Sequence, residues 1–475
     1  MFAVGIVAAM PQVHLGHLFH IAGRPALTGA SSALVSVPDG ALVISDDGRI
    51  ALCGERSELP AEFGSAAVRD HRPGFLLPGF VDTHIHFPQT FAGDSYGGGQ
   101  LLEWLEQCIF PSESRLADPA FAERAAVEFC DRRVAAGTTA AMVFGSAFPH
   151  AQDALFAETL RRGLRLVSGR GIQTVGPASA AALITSEEDA LRLTRQEIDT
   201  WHGADTGDVA TALLHVAIVP RFSLSVTTQT LKALGDLYDS VRHRGVYVHT
   251  HLNENTGEVD IVKQMYGVDT YLDTYDGKFE PGSSVGGKSL LGRRTILAHC
   301  VHCEDSELER MAETGTSIAH CPVSQLFLGS GTMPWRRTVA SGVNIAAGTD
   351  FSGGDEWLIA RVLGDAFKVH MSEHGAAAVS MHPAEMLFLG TLAGARALDM
   401  EDRFGNFDPG KEADFVVVDP TLTPALHSAI THGVRSAEHE IASQQILFAL
   451  LMGLREPAIA EVYVQGRRVD GAREN

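Results

Sequence analysis

Six cysteines in 475 residues are too few and too scattered for a disulfide framework. Cys53, Cys108, Cys130, Cys300, Cys303 and Cys321 read as reduced thiols of a cytoplasmic protein. Basic side chains are also scarce. The 37 Lys and Arg stand against 58 Asp and Glu, a formal net charge of −21. Nucleic acids and anionic membranes are polyanions, so neither is an expected partner. Long apolar runs are missing too. No uncharged stretch reaches the roughly 18 residues of a spanning helix. The opening MFAVGIVAAMP is apolar but short, lacks a basic leader and meets Pro11 early, so a signal peptide is not expected. What is present is an ordinary globular mixture, 45% hydrophobic and 20% charged, which argues against disorder. The 21 histidines make a metal site worth seeking.

At about 150 residues per domain the length suggests about three domains, or one large barrel with an appended domain. Three zones emerge. Residues 1–76 read as short strands and turns. ALVISDDGRIALCG (41–54) has hairpin chemistry, with the turn at Asp46-Asp47-Gly48. From 77 to 400, apolar strand-like runs alternate with helical stretches. FAERAAVEFCDRRVAA (121–136) is helical and stops at Gly137; TTAAMVFG (138–145) follows as a buried strand. RLVSGRGI (165–172), LLHVAIVPRFSLS (213–225), VYVHTHLNEN (246–255), RTILAHC (294–300), TSIAHCP (316–322) and VNIAAGTD (343–350) continue the series. Such alternation predicts a parallel sheet covered by helices, closed as a (β/α)8 TIM-like barrel. From 401 to 475 the chain returns to strands, FGNFDPGKEADFVVVDP (404–420) and EVYVQGRRV (461–469). The two β-rich ends, 1–76 and 401–475, are expected to form one small β-sandwich domain beside the 77–400 barrel.

His and Asp residues fall where the apolar runs end, the face that carries the active site in such barrels. His84 and His86, two apart on a strand, can offer two imidazoles to one ion. They can equally be two histidines satisfied by hydrogen bonds. In His249-Thr250-His251-Leu252-Asn253-Glu254 either histidine can face inward. Glu254 can reach a bound water as acid or base, or can be a solvated loop carboxylate. His299 in LAHC and His320 in AHCP can be ligands or hydrogen-bond donors behind ligands. Asp350 in AAGTDFSGG needs a partner if buried, and can otherwise cap the following helix. Each feature alone is ordinary; together they occupy successive strand ends. A His and carboxylate set with an open position is the catalytic form of a zinc site. Cys300-Val301-His302-Cys303 contains CxxC, but no second pair stands near it, so it is not read as a metal site.

These segments together, PGFVDTHIH, HTHLNEN, LAHC, SIAHCP, GTD and FDPGKEADFVVVD, resemble the amidohydrolase superfamily along essentially the whole chain. HFPQT (86–90), FAG followed by LLEWLEQCIFP (101–111), PRFSLS (220–225) and HCPVSQLFLGSG (320–331) narrow the resemblance to the branch that deaminates guanine. The resemblance implies one Zn2+ per subunit held by His84, His86, His251 and Asp350. It implies Glu254 as proton shuttle and His299 as a hydrogen-bonding partner of water or substrate. His249 is then not a ligand. Gln89, Arg221 and Phe222 fall on positions that contact a small-molecule purine. The implied reaction is hydrolysis of guanine at C2 to xanthine and ammonia, and the resemblance implies a homodimer. The alternatives are deamination of another purine, a pterin or a triazine, and a catalytically inactive metal-binding scaffold. Phe222 can also be core packing, Arg221 a surface ion pair, and Trp104 either helix packing or pocket lining. The sequence departs from the family pattern at Asn253, Val323 and Gln325 and in FSGGDEWL after GTD, positions that bear on the pocket rather than the metal chemistry.

Overall fold

The computed structural model describes residues 11–92, 100–279, 286–373, 375 and 378–469. The apolar stretch 1–10 and Gly93 of FAG lie outside the described residues. Four strands come first: β1 (Gln12–Ile21), β2 (Leu34–Ile44), β3 (Ile50–Glu55) and β4 (Ala67–Pro78). The barrel strands are β5 (Phe80–His86), β6 (Thr138–Phe144), β7 (Arg165–Gly169), the two-residue β8 (Gly171–Ile172), β9 (Leu214–Pro220), β10 (Tyr247–Leu252), β11 (Thr295–His299), β12 (Ser317–His320) and β13 (Asn344–Ala347). The last three are β14 (Phe415–Val418), β15 (Ile459–Val464) and β16 (Arg467–Arg468).

Strands β5, β6, β7, β9, β10, β11, β12 and β13 pair in parallel in that order, and β8 adds to β9. Every residue of β6 and β9 is buried, as expected for strands covered on both faces. The turn after β13 returns to β5. Thr83 donates its hydroxyl to the Ala347 carbonyl at 2.9 Å, and the Asp350 N–H donates to the His84 carbonyl at 2.8 Å. Gly348 permits this approach, because a Cβ there would stand 2.9 Å from His84 Cβ and 3.0 Å from Cys321 Sγ. The fold is thus the expected (β/α)8 barrel.

The chain ends share one seven-stranded sheet, in the order β16-β15-β14-β4-β1-β2-β3. Strand β14 runs antiparallel beside β4, with Phe415 opposite Pro78 and Val418 opposite Phe75. Arg165 ties this sheet to the barrel. Fully buried at the start of β7, it donates to Glu412 Oε2 at 2.7 Å and Asp414 Oδ2 at 3.0 Å. The C-terminal zone is not all strand. Helices Pro424–Gly433 and His439–Gly453 lie between β14 and β15. The second buries Leu447, Leu450 and Leu451, one helical stripe. Its Phe448 ring packs on Phe367 of the barrel helix Ile359–Met371. Among the described residues no helix is long and apolar enough to cross a membrane.

Strand β1 buries His14 against His71, Phe415 and Tyr463. Burial, helped by His71 and Arg69, brings its imidazole down from 6.5 to about 3. His14 is therefore neutral in the fold, while the unfolded chain takes up its proton below 6.5. Its contribution to stability is complete above pH 6.5 and is lost as pH falls toward about 3. A His14→Gln variant lacks this titration. Its stability, followed by denaturant melts across that range, should fall less steeply than that of the parent by about one proton, roughly 1.4 kcal/mol per pH unit. Parallel slopes would show that His14 does not titrate on unfolding.

Candidate active site

Strand β5 delivers two imidazoles because its C-terminal end is pinned on both sides. The buried Asp82 carboxylate accepts from the His84 N–H at 3.1 Å, the Thr349 N–H at 3.0 Å and the Thr349 hydroxyl at 2.6 Å. Burial pushes the Asp82 carboxyl up to about 6, against those three hydrogen bonds. With β5 held, His84 Nε2 and His86 Nε2 stand 3.2 Å apart, and they meet Asp350 Oδ1 at 3.2 and 3.3 Å. His251, at the end of β10, brings its Nε2 to 3.2 Å from His86 Nε2. His299, ending β11, has its Nε2 3.4 Å from Glu254 Oε2 and 3.9 Å from Asp350 Oδ2. Donor atoms of His84, His86 and Asp350, and those of His84, His251 and His299, each lie within 4.8 Å of one another. Imidazole and carboxylate donors so gathered suit a divalent cation of zinc-like character.

The far nitrogens fix which lone pair faces the centre. His251 Nδ1–H donates to the Arg221 carbonyl at 2.5 Å. His249 Nδ1–H donates to the Ile296 carbonyl at 2.9 Å, so His249 Nε2 accepts from His84 Nδ1–H at 2.7 Å. These bonds leave Nε2 of His84 and of His251 unprotonated and aimed at the shared point. Burial, reinforced by His84, holds the His249 and His251 imidazoles far below their ordinary value. Burial brings His299 down to about 3, with Asp350 opposing and His84 and His86 adding. All three are neutral near pH 7, the form that ligates metal. Burial raises the Asp350 carboxyl, but His84, His86 and His299 outweigh it and keep it ionised. Glu254 goes the other way. Burial, then Asp350 and Glu258, push its carboxyl well above the ordinary range, with Arg221 opposing.

Glu254 sits in the turn between β10 and the helix Thr256–Tyr266. Glu258 accepts from the N–H groups of Glu254 at 3.2 Å and Asn255 at 3.4 Å, and receives the Tyr271 hydroxyl at 2.7 Å. Asn253, φ +51°, is a residue type that tolerates this left-handed conformation, and its amide bonds Glu307 at 2.9 Å. Five of the seven described non-glycine residues with positive φ lie here: Asn253, His299, Cys300, Asp350 and Ser352. Such strain collects where surrounding structure overrides local preference.

One cavity joins this centre to an apolar wall. It is lined by His86, Gln89, Leu101, Trp104, Leu105, Arg221, Phe222, His251, Glu254, His299, Leu328 and Asp350. Trp104 and Phe222 pack with Leu101, Leu105 and Leu328 and also line the cavity. Arg221 is buried and paired with Glu113, not on the surface. The structure thus brings together His84, His86, His251, His299, Asp350, Glu254, Gln89, Arg221 and Phe222. His320 instead hydrogen-bonds His370 at 3.1 Å. Cys303 Sγ accepts from the Asn253 amide at 3.3 Å, and all six cysteines are free thiols. Sequence reasoning named His249 as able to face inward, though not its place behind His84, and it missed Glu113. Glu113 carried no signal, because its partners lie 24 and 108 positions away. A His249→Asn variant should bind zinc about 10–100-fold more weakly in competition with a chromophoric chelator. Undiminished affinity would show that His84 needs no such backing.

The fold and centre define a class, and the chain belongs to it: the amidohydrolase family model matches residues 75–469. Among curated relatives, a probable guanine deaminase of Deinococcus radiodurans is 37% identical over 93% of this chain and 95% of its own length. The solved guanine deaminase of Escherichia coli superposes with a TM-score of 0.83 at 31% identity, covering 98% of this chain and 99% of that one. That of Bradyrhizobium japonicum gives 0.85 at 31% identity, over 97% and 99%.

Proposed function

We propose that the chain is a metal-dependent aminohydrolase that converts guanine to xanthine and ammonia. The observation that carries this reading is one cavity lined together by buried Glu254, members of a His and Asp donor cluster, and the pair Gln89 and Arg221. The relatives named above act on guanine by their own titles. His84, His86, His251 and Asp350 are the proposed ligands of one zinc ion. Zinc bound there would supply the Lewis acidity that lowers the pKa of water toward about 7.

The protein's own groups do the rest. Asp350, ionised, takes up the proton of the attacking water. Glu254, whose carboxyl retains a proton unusually well, passes one to the ring nitrogen N3 as oxygen adds at C2. Glu254, now ionised, takes the hydroxyl proton of the adduct and hands it to the amine, which leaves as ammonia as C2=O forms; the proton held by Asp350 then returns Glu254 to its acid form. His299 hydrogen-bonds the water or the developing oxygen. Phe222 lies against the purine face, and Arg221 donates to its acceptors. The apolar wall of Leu101, Trp104, Leu105 and Leu328 offers no polar group to compete in these proton transfers, apart from the Trp104 indole N–H. The proposed homodimer rests on the family resemblance and the proposed cytoplasmic location on the reduced thiols, and light scattering of the purified chain reads its oligomeric state.

Ammonia release should be measured with one equivalent of zinc, on guanine beside 8-oxoguanine, adenine, cytosine, a pterin and a triazine. Guanine should be strongly preferred, with xanthine formed in equal amount. Turnover of another ring alone would discard the roles of Gln89, Arg221 and Phe222. Inactivity toward all, with metal bound, would overturn the reading. Glu254→Gln should lower kcat at least about 100-fold at unchanged metal content. Near-normal turnover in that variant would remove Glu254 from the proton path.

A further inference from the structure

Glu113 is a buried carboxylate that the mechanism above does not use. It lies on the short helix Phe110–Ser114 and is 4% exposed. Its Oε1 accepts from Gln89 Nε2 at 2.8 Å and from Arg221 Nη2 at 3.1 Å. Its Oε2 accepts from Arg221 Nη1 at 2.7 Å. Two residues of the cavity wall therefore converge on one carboxylate.

An ionised carboxylate only accepts hydrogen bonds. The Gln89 group turned toward Glu113 must therefore be the NH2, and the carbonyl oxygen is what remains. Gln89 Oε1 is buried and has no partner among the described residues. A glutamine amide is nearly symmetric in shape, so only its hydrogen-bond partners decide which end faces a ligand. Arg221 is different: a guanidinium can only donate, and Glu113 holds its plane by two N–H groups. Because Gln89 and Arg221 share Glu113 Oε1, the acceptor and the donors stand side by side.

We infer that Glu113 is a specificity-determining positioning residue: it commits the wall to an acceptor at Gln89 beside donors at Arg221. That pattern pairs with the lactam edge of a purine, where ring N1–H adjoins C6=O. It mispairs with an amidine edge, where N1 is an acceptor and the C6 substituent is an NH2. In the mispaired case two acceptors and two donors would face each other in a buried site. The inference rests on the purine reading above and adds the reason for choosing among purines.

Guanine and 2,6-diaminopurine test it, since both carry the C2 amine and differ only at this edge. The zinc-loaded full chain should favour guanine by at least about 100-fold in kcat/KM, the scale for unpaired buried polar groups. Glu113→Gln frees the Gln89 amide to turn. The guanine to diaminopurine ratio should fall about tenfold or more, chiefly through KM, at unchanged metal content, and Tm should drop because Arg221 loses its buried partner. Equal loss on both substrates, or an unmoved ratio, overturns the proposal. Glu113→Asp keeps the charge but shortens the reach. It should lower the same ratio, and it replaces the first variant if that one does not fold.

Equilibrium binding of hypoxanthine against adenine separates this inference from the deamination reading, because neither ligand carries a C2 amine. The parent should prefer hypoxanthine, and Glu113→Gln should lose that preference. This outcome with no guanine turnover would sink the proposed reaction and leave Glu113 in its role. Guanine turnover with no hypoxanthine preference in the parent, or with the preference kept in the variant, would do the reverse.

Discussion

A neutral imidazole carries one proton and one in-plane lone pair, on opposite nitrogens. Which nitrogen holds which is settled by whatever hydrogen-bonds the far side. A histidine is fixed toward a cation where its outer nitrogen is given an acceptor inside the protein; His84 and His251 have one, whereas His86 Nδ1 has no partner among the described residues. Here the acceptors are the Arg221 carbonyl behind His251 and His249 Nε2 behind His84. His249 can accept because its own proton is bound by the Ile296 carbonyl of the neighbouring strand β11. The orientation of His84 and His251 thus depends on backbone carbonyls of the barrel wall, which are fixed by the strand ladder itself.

The same wall fixes depth. Along β10 the side chains of His249 and His251 point to one side, a pleat apart. His251 reaches the open end, whereas His249 lies a layer below and touches His84. Closure of the ring between β13 and β5 then brings Asp350 over His84 and His86. That closure needs Gly348, where a side chain would strike His84, and the left-handed turn at Asp350, φ +46°. Asp82 holds Thr349 and His84 in one set of hydrogen bonds. Strain at the strand ends is in this way carried by buried bonds immediately beneath them.

Most of this was legible where the signal is local. Strand runs followed by His or Asp announced the barrel and its catalytic face, and spacing two residues apart announced His84 with His86. Spacing could not choose between His249 and His251, because side is periodic in a strand and depth is not. Resemblance named His251; in the structure its Nε2 lies 3.2 Å from His86 Nε2, whereas His249 bonds the outer nitrogen of His84. The C-terminal helices Pro424–Gly433 and His439–Gly453 escaped a reading that attended to the β-type runs on either side. HEIASQQILFALLMG is apolar around much of its circumference, so its helical period is weak. Glu113 escaped altogether. A buried ion pair between residues 108 apart leaves no trace in composition, period or motif.

The arrangement of charge divides the cavity into two halves with different tasks. Around the His cluster stand Asp350, ionised, and Glu254, raised, so this half gathers donors that suit a cation and the carboxyls with the most displaced protonation. Around the wall stand Arg221 and Glu113, bound through both carboxylate oxygens. An unpaired buried guanidinium would attract anions indiscriminately and would be costly to bury. Paired with Glu113, it contributes directed N–H groups with little net charge. A neutral base has nothing to offer a bare charge, but its edge carries fixed donors and acceptors. A cancelled charge with retained hydrogen-bond directions is therefore the form of arginine that can tell one neutral ring from another.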